Sequence, residues 1–185
     1  MKQNNLNRKN LTHSRSISLP LKVRKALKWV TKILRDQKIP YQISGGLCAR
    51  FYGTTRRIND IDIDIKEIDF PRLQAIMQPY VIFGPDIYVD KKWEVLIMIL
   101  KYKDQLIEFT SGDFSKISNS GRTKWLVFRY DLHDVNIIPW EGVTLNLMRP
   151  EKILRYKKHL DGKKQKEDIK AIKHFISLNH KRLTG

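Results

Sequence analysis

Residues 60–65 read Asp-Ile-Asp-Ile-Asp-Ile, and a strict alternation of this kind has one comfortable regular conformation. In a β-strand successive side chains point to opposite faces, so Ile61, Ile63 and Ile65 enter a core while Asp60, Asp62 and Asp64 share the other face. Same-face carboxylates about 7 Å apart repel one another unless something cationic sits between them. A solvated edge strand also carries charge to discourage aggregation, but lysine is the usual choice there. Two carboxylates separated by one residue on a strand can bridge a pair of Mg²⁺ ions about 4 Å apart, the geometry that serves phosphoryl and nucleotidyl transfer. Oxygen-only ligands favour Mg²⁺ or Mn²⁺ over zinc.

Upstream, Ser44-Gly45-Gly46 follows the short apolar run Tyr41-Gln42-Ile43. Glycines between a strand and a helix start let backbone amides approach a phosphate closely, with Ser44 as an extra donor; a plain diglycine turn has the same sequence. A site of paired metals normally needs a third carboxylate. Glu108, within Leu106-Ile107-Glu108-Phe109, supplies one on a later strand, although a Glu flanked by apolar residues is also simply the exposed position of an alternating strand.

Taken together, Gly45-Gly46, then Gly53-Thr54-Thr55-Arg56, then Asp60-Ile61-Asp62, then an acid on a later strand resemble the nucleotidyltransferase superfamily of DNA polymerase β. The nearest flavour is the small bacterial branch of lincosamide and aminoglycoside nucleotidyltransferases and AbiEii-type toxins. The likeness covers roughly residues 41–110. It implies an α+β fold with a small mixed β-sheet flanked by helices. It also implies that Ser44, Gly45, Gly46 and Arg56 bind the nucleotide, that Asp60 and Asp62 hold both metals, and that Glu108 is the third acid, activating the acceptor hydroxyl. Spacing from Arg56 favours Asp60 with Asp62 over Asp62 with Asp64. Relatives often carry a Lys-Asp pair before the last helix, where this chain has Lys164-Gln165, with Glu167-Asp168 nearby.

The charge is unevenly placed. Of the formal net +17, residues 1–40 contribute +10 and residues 149–185 contribute +8, while residues 41–148 sum to −1. Residues 1–17 are polar and basic and read as a mobile tail; 18–148 read as the core domain and 149–185 as a basic helical extension packed on it. Val23, Leu27, Val30 and Leu34 recur at helical spacing, with Ser18 as a cap and Lys22, Lys25, Lys28, Lys32 and Arg35 opposite them. Lys163, Lys166, Lys170 and Lys173 repeat the pattern near the C-terminus. Gly112 to Gly121 is the segment expected to be a mobile loop. Basic stripes at both ends suit a polyanion such as RNA and disfavour a cationic acceptor.

Cys48 is the only cysteine, which excludes an intrachain disulfide and a cysteine zinc cluster. With no apolar signal region in residues 1–18 and no apolar run of membrane length, the expected setting is cytoplasmic. The sequence thus points to a metal-dependent transfer of NMP from an NTP to an acceptor hydroxyl, with RNA as the acceptor, and the resemblance to AbiEii-type toxins implies a toxin-like setting with an antitoxin partner. A small-molecule adenylyltransferase and a non-catalytic nucleic-acid-binding protein are the alternatives.

Overall fold

A computed structural model describes residues 17–119, 121 and 123–183. The expected basic tail therefore lies, apart from Ile17, outside the described residues. Helix α1 (Leu21–Asp36) buries Val23, Leu27, Val30 and Leu34 completely, as their spacing requires. It starts after Pro20 rather than on a Ser18 cap, because the fixed φ of proline suits the edge of a first turn. Its cationic side is largely engaged by the chain's own loops. Arg24 and Lys28 reach Glu141 at 2.9 and 3.3 Å, and Lys22 donates to the Asp104 carbonyl at 3.0 Å.

The chain continues as β1 (Tyr41–Ile43), α2 (Gly45–Phe51), β2 (Asp60–Ile65), α3 (Phe70–Met77), β3 (Val81–Val89), β4 (Trp93–Tyr102) and β5 (Gln105–Ser118). It ends with β6 (Trp125–Phe128), β7 (Val135–Trp140), β8 (Val143–Met148), α4 (Pro150–Lys157) and α5 (Lys163–Leu183). Among the described residues eight strands form one mixed sheet in the order β3-β4-β5-β2-β1-β8-β7, with β6 added to β5. The β1–β8 and β2–β5 pairs are parallel and the remaining pairs antiparallel.

The architecture is the expected mixed α+β one, but the sheet is longer than a small one because β5 runs through most of the segment expected to be a loop. Glycines at both ends of 112–121, with three serines and an asparagine between them, suggested a loop. The strand persists because β4 and β6 pair with its two sides at Ser115–Ile117, and Ile117 is fully buried.

The register that matters joins β2, β5 and β4. Ile61 lies beside Ile107 and Ile63 beside Phe109, while Met98 and Leu100 pair with Phe109 and Ile107 from the other side. All six side chains are inaccessible to solvent. Burying each stabilises the fold by about 1.5–3 kcal/mol, and a slip of one residue would turn the whole set to the opposite face. The apolar face therefore fixes where the acids stand.

Candidate functional site

With that register set, Asp60, Asp62 and Asp64 face Leu106, Glu108 and Thr110 across the parallel β2–β5 ladder. Glu108 is thus the direct neighbour of Asp62, a juxtaposition hidden by the 45 residues between them. Asp60, Asp62 and Glu108 line one wall of a cavity of about 370 Å³. Ser44, Gly45 and Gly46 at the start of α2 form another wall, and Tyr156, Lys157 and Lys164 from the C-terminal helices close over it.

The carboxylates are electrostatically frustrated. Burial, then the charges of Asp60 and Glu108, push Asp62 up to about 7, against a weaker pull from Lys157 and the Gly46 amide. Glu108 is raised by burial and then by Asp60. Asp64 is different: burial raises it to about 6, and its oxygens accept bonds from Gln42 Nε2 at 2.8 Å, Thr110 Oγ1 at 2.7 Å and Ser44 Oγ at 3.4 Å. Asp64 also lines the cavity, but three protein donors already engage its oxygens, whereas Asp60 and Asp62 stand beside Glu108 with fewer protein donors.

Raised carboxylates give a definite pH dependence. A group whose folded pKa lies above its unfolded value contributes stability at low pH that is lost as pH rises through the folded pKa. For Asp64 and Asp62 the loss begins near the ordinary carboxylate value of about 4 and is complete once the pH passes about 6 and about 7 respectively. The carboxylates held low by ion pairs, such as Asp113 and Asp134, lose their contribution only under more acidic conditions. Without metal, the melting temperature should therefore be several degrees higher at pH 5.5 than at pH 8, and Asp62→Asn should flatten that difference in paired melting scans.

The diglycine is explained by close approach. Gly45 has φ +57°, and a Cβ there would stand 1.6 Å from Asp62 Oδ2; one on Gly46 would stand 2.4 Å from Arg56 Nη2. Their amides are oriented inward, Gly45 N–H donating to Tyr156 Oη at 2.9 Å and Gly46 N–H to Asp62 Oδ2 at 3.2 Å. Gly45→Ala combines a disfavoured backbone with displacement of Asp62. It should cost roughly 1–3 kcal/mol in urea denaturation and at least about 100-fold in turnover.

Arg56 has a partner that its spacing from the glycines did not suggest. Its Nε and Nη2 make a paired contact with Asp168 Oδ1 and Oδ2 at 2.8 and 2.9 Å. Lys157 Nζ reaches the same Asp168 at 2.9 Å and donates to Gln165 Oε1 at 3.1 Å. Asp168 is completely buried and Lys157 nearly so. Burial alone would push Asp168 up, but the bonds from Arg56 and Lys157 outweigh it and hold the carboxyl below its usual range. Lys157 of α4 and Asp168 of α5 thus make in space a Lys–Asp pair that is not adjacent in sequence. Periodicity carried the signal: Asp168 falls four residues before the buried Ile172, and Lys157 four after the buried Ile153.

For a hard divalent cation the donor chemistry is suitable: oxygen atoms only, on a wall with more negative charge than its neighbours balance. Among the described residues, no three or more His, Cys, Asp or Glu side chains form a preassembled metal-ligand group. Mg²⁺ characteristically takes one or two carboxylates and completes its shell with substrate phosphates and water, so a closed protein cage is not required.

The fold is that of known nucleotidyltransferases. The chain superposes on TM1012 of Thermotoga maritima, provisionally described as a nucleotidyltransferase, with a TM-score of 0.64 at 15% identity, over 75% of this chain and 84% of the other. It also matches the lincosamide antibiotic adenylyltransferase LnuA, solved with lincomycin bound, with a TM-score of 0.56 at 14% identity, covering 82% and 96%. The antibiotic-resistance factor ANT(2″)-Ia, solved in complex with adenylyl-2″-tobramycin, gives 0.54 at 14% identity over 88% and 93%. No family model matches the sequence, and no curated protein matches it.

Proposed function

We propose that this chain is a Mg²⁺- or Mn²⁺-dependent nucleotidyltransferase. It moves a nucleoside monophosphate from an NTP such as ATP to a hydroxyl of RNA, in the cytoplasm, releasing pyrophosphate. The observation that carries this reading is the parallel pairing of Asp62 with Glu108, with Asp60 on the same wall of the cavity. Asp60 and Asp62, joined by Glu108, would hold the divalent ions, whose chemistry is to neutralise charge on the triphosphate. Glu108 accepts the acceptor's hydroxyl proton as that oxygen bonds to the α-phosphorus and the bond to the bridging oxygen of the leaving pyrophosphate breaks. Ser44, Gly45 and Gly46 bind the triphosphate, its oxygens replacing Tyr156 Oη and Asp62 Oδ2 as acceptors for the two amides. Arg56 serves beneath the phosphates as the strut that ties the diglycine to α5. Fixed positioning and electrostatics account for most of the rate.

The charge distribution supports RNA, since a surface of net +17 attracts a polyanion and repels an aminoglycoside. A toxin-like setting with an antitoxin partner belongs to the same proposal. A small hydroxylated antibiotic is the second reading, favoured by the folds of LnuA and ANT(2″)-Ia. Among the described residues no helix is long and apolar enough to cross a membrane.

The test supplies each α-labelled NTP with Mg²⁺, adding total RNA in one reaction and a lincosamide or an aminoglycoside in others. Label entering RNA supports the first reading, and label on the small molecule alone supports the second. Label on neither, with salt-sensitive RNA binding intact, returns the chain to a non-catalytic binding role.

A further inference from the structure

The sequence placed its cationic stripes on α1 and α5, yet the cavity mouth carries a basic cluster assembled from separate segments. Lys92, just before β4, donates through Nζ to the His159 carbonyl and lies 3.6 Å from Asp161. Its own carbonyl accepts the Ser118 N–H, and Ser118 pairs with Trp125 at the start of β6. This brings Lys124 to the same corner. From α4, the Arg155 guanidinium lies 5.5 Å over the Phe128 ring, and Phe128 in turn lies 6.1 Å from the His159 ring. Burial first, and then the charges of Lys92, Arg155, Lys158 and Lys124, lower the His159 pKa.

The cluster is built on the same segments that line the cavity. Lys92 precedes Trp93, Arg155 and Lys158 flank Tyr156 and Lys157, and Phe128 pairs across the ladder with Ser115; Trp93, Tyr156, Lys157 and Ser115 all line the cavity. Among the described residues neither Lys124 nor Lys158 has an ion-pair partner. The cations of α1, by contrast, are largely bound to Glu141, Asp104 and Asp36. Strand alternation puts Lys124 on the same side of β6 as Phe128, the partner of the cavity-lining Ser115. Unpaired cations gathered on segments that line a cavity suit the phosphates of a nucleic acid.

We infer that Lys92, Lys124, Arg155 and Lys158, gathered round His159 and Phe128, form the phosphate track along which an RNA end reaches the acid-lined cavity. The inference rests on the RNA-acceptor reading above and adds to it a location distinct from the helical stripes.

The experiment measures binding of bulk deacylated tRNA to the full chain over a salt series. It compares wild type, the pair Lys124→Gln with Lys158→Gln, and the pair Lys170→Gln with Lys173→Gln on the exposed side of α5. Thermal melting checks that each pair folds. At low salt the first pair should weaken binding at least about 10-fold and reduce the slope of log K against log salt by about 1.4, at roughly 0.7 per lost contact, while the α5 pair changes affinity less than about 3-fold. An unchanged slope in the first pair, or an equal loss in the α5 pair, overturns the track even if wild type labels RNA. If wild type neither labels RNA nor binds tRNA, the RNA reading itself falls, and the track with it.

Discussion

Asp62→Asn is expected to lower nucleotidyl transfer by at least about 1,000-fold and at the same time to make the metal-free protein more stable. The two effects share one cause. Asp62 is buried between Asp60 and Glu108, and its folded pKa of about 7 records a carboxylate that the empty fold holds at a cost. An amide of the same shape removes the charge. On the order of 1–4 kcal/mol should then be recovered at pH 8, from the size of the shift and the conversion of about 1.4 kcal/mol per pKa unit. The same change removes an anionic metal ligand. Because the ions supply several kcal/mol of transition-state stabilisation, a loss of three or more decades in rate follows. Urea denaturation without metal at pH 8 and single-turnover transfer with Mg²⁺ give the two numbers. A variant less stable than wild type would mean that Asp62 is a structural carboxylate, and one that retained activity would remove it from the chemistry.

Asp168→Ala is expected to be among the most destabilising single substitutions, at about 3–5 kcal/mol. Asp168 is wholly buried and bonded to both Arg56 and Lys157, so its removal strands two cations in a region with little water to replace their partner. The consequence extends beyond stability. Arg56 Nη2 lies where a Gly46 side chain would be, and Lys157 lines the cavity, so both sides of the candidate nucleotide site are held by this carboxylate. The midpoint of urea denaturation should fall sharply, and activity measured on the folded fraction should fall as well. Replacing Asp168 and Lys157 together by methionine should recover part of the loss, because a stranded charge is costlier than an absent pair. A loss below about 1 kcal/mol for Asp168→Ala would show that water reaches the cluster.

The acid wall was legible because its signal is local. Alternation over six residues forces Ile61, Ile63 and Ile65 inward, and glycine allows φ +57° with near contact to Asp62 at position 45 and near contact to Arg56 at position 46. The pairing of Glu108 with Asp62 was readable only as a combination, since register between distant parallel strands is set by the isoleucine and phenylalanine face and leaves no mark near the glutamate. Asp64 was set apart from Asp60 and Asp62 only by spacing from Arg56, because its donors Gln42 and Thr110 lie on other strands. The length of β5 was hidden by its own composition: Ser111, Gly112 and Asp113 have low strand propensity, and pairing with β4 and β6 overrides it. Arg56 could be placed near the glycines by spacing, but its tie to Asp168 crosses 112 residues. The basic cluster round His159 was equally out of reach, as its cations come from three separate segments, whereas the stripes on α1 and α5 advertise themselves by helical period.

The most direct test of the carboxylate site is electron paramagnetic resonance of Mn²⁺ titrated into the protein with and without a non-hydrolysable NTP analogue. Wild type should bind Mn²⁺ in a nucleotide-dependent way, beyond the binding of nucleotide alone, and the Asp60→Asn, Asp62→Asn double variant should lose that binding while still melting cooperatively. Mn²⁺ binding that survives the double substitution, or that is absent from wild type in the presence of nucleotide, would contradict a metal site at these carboxylates.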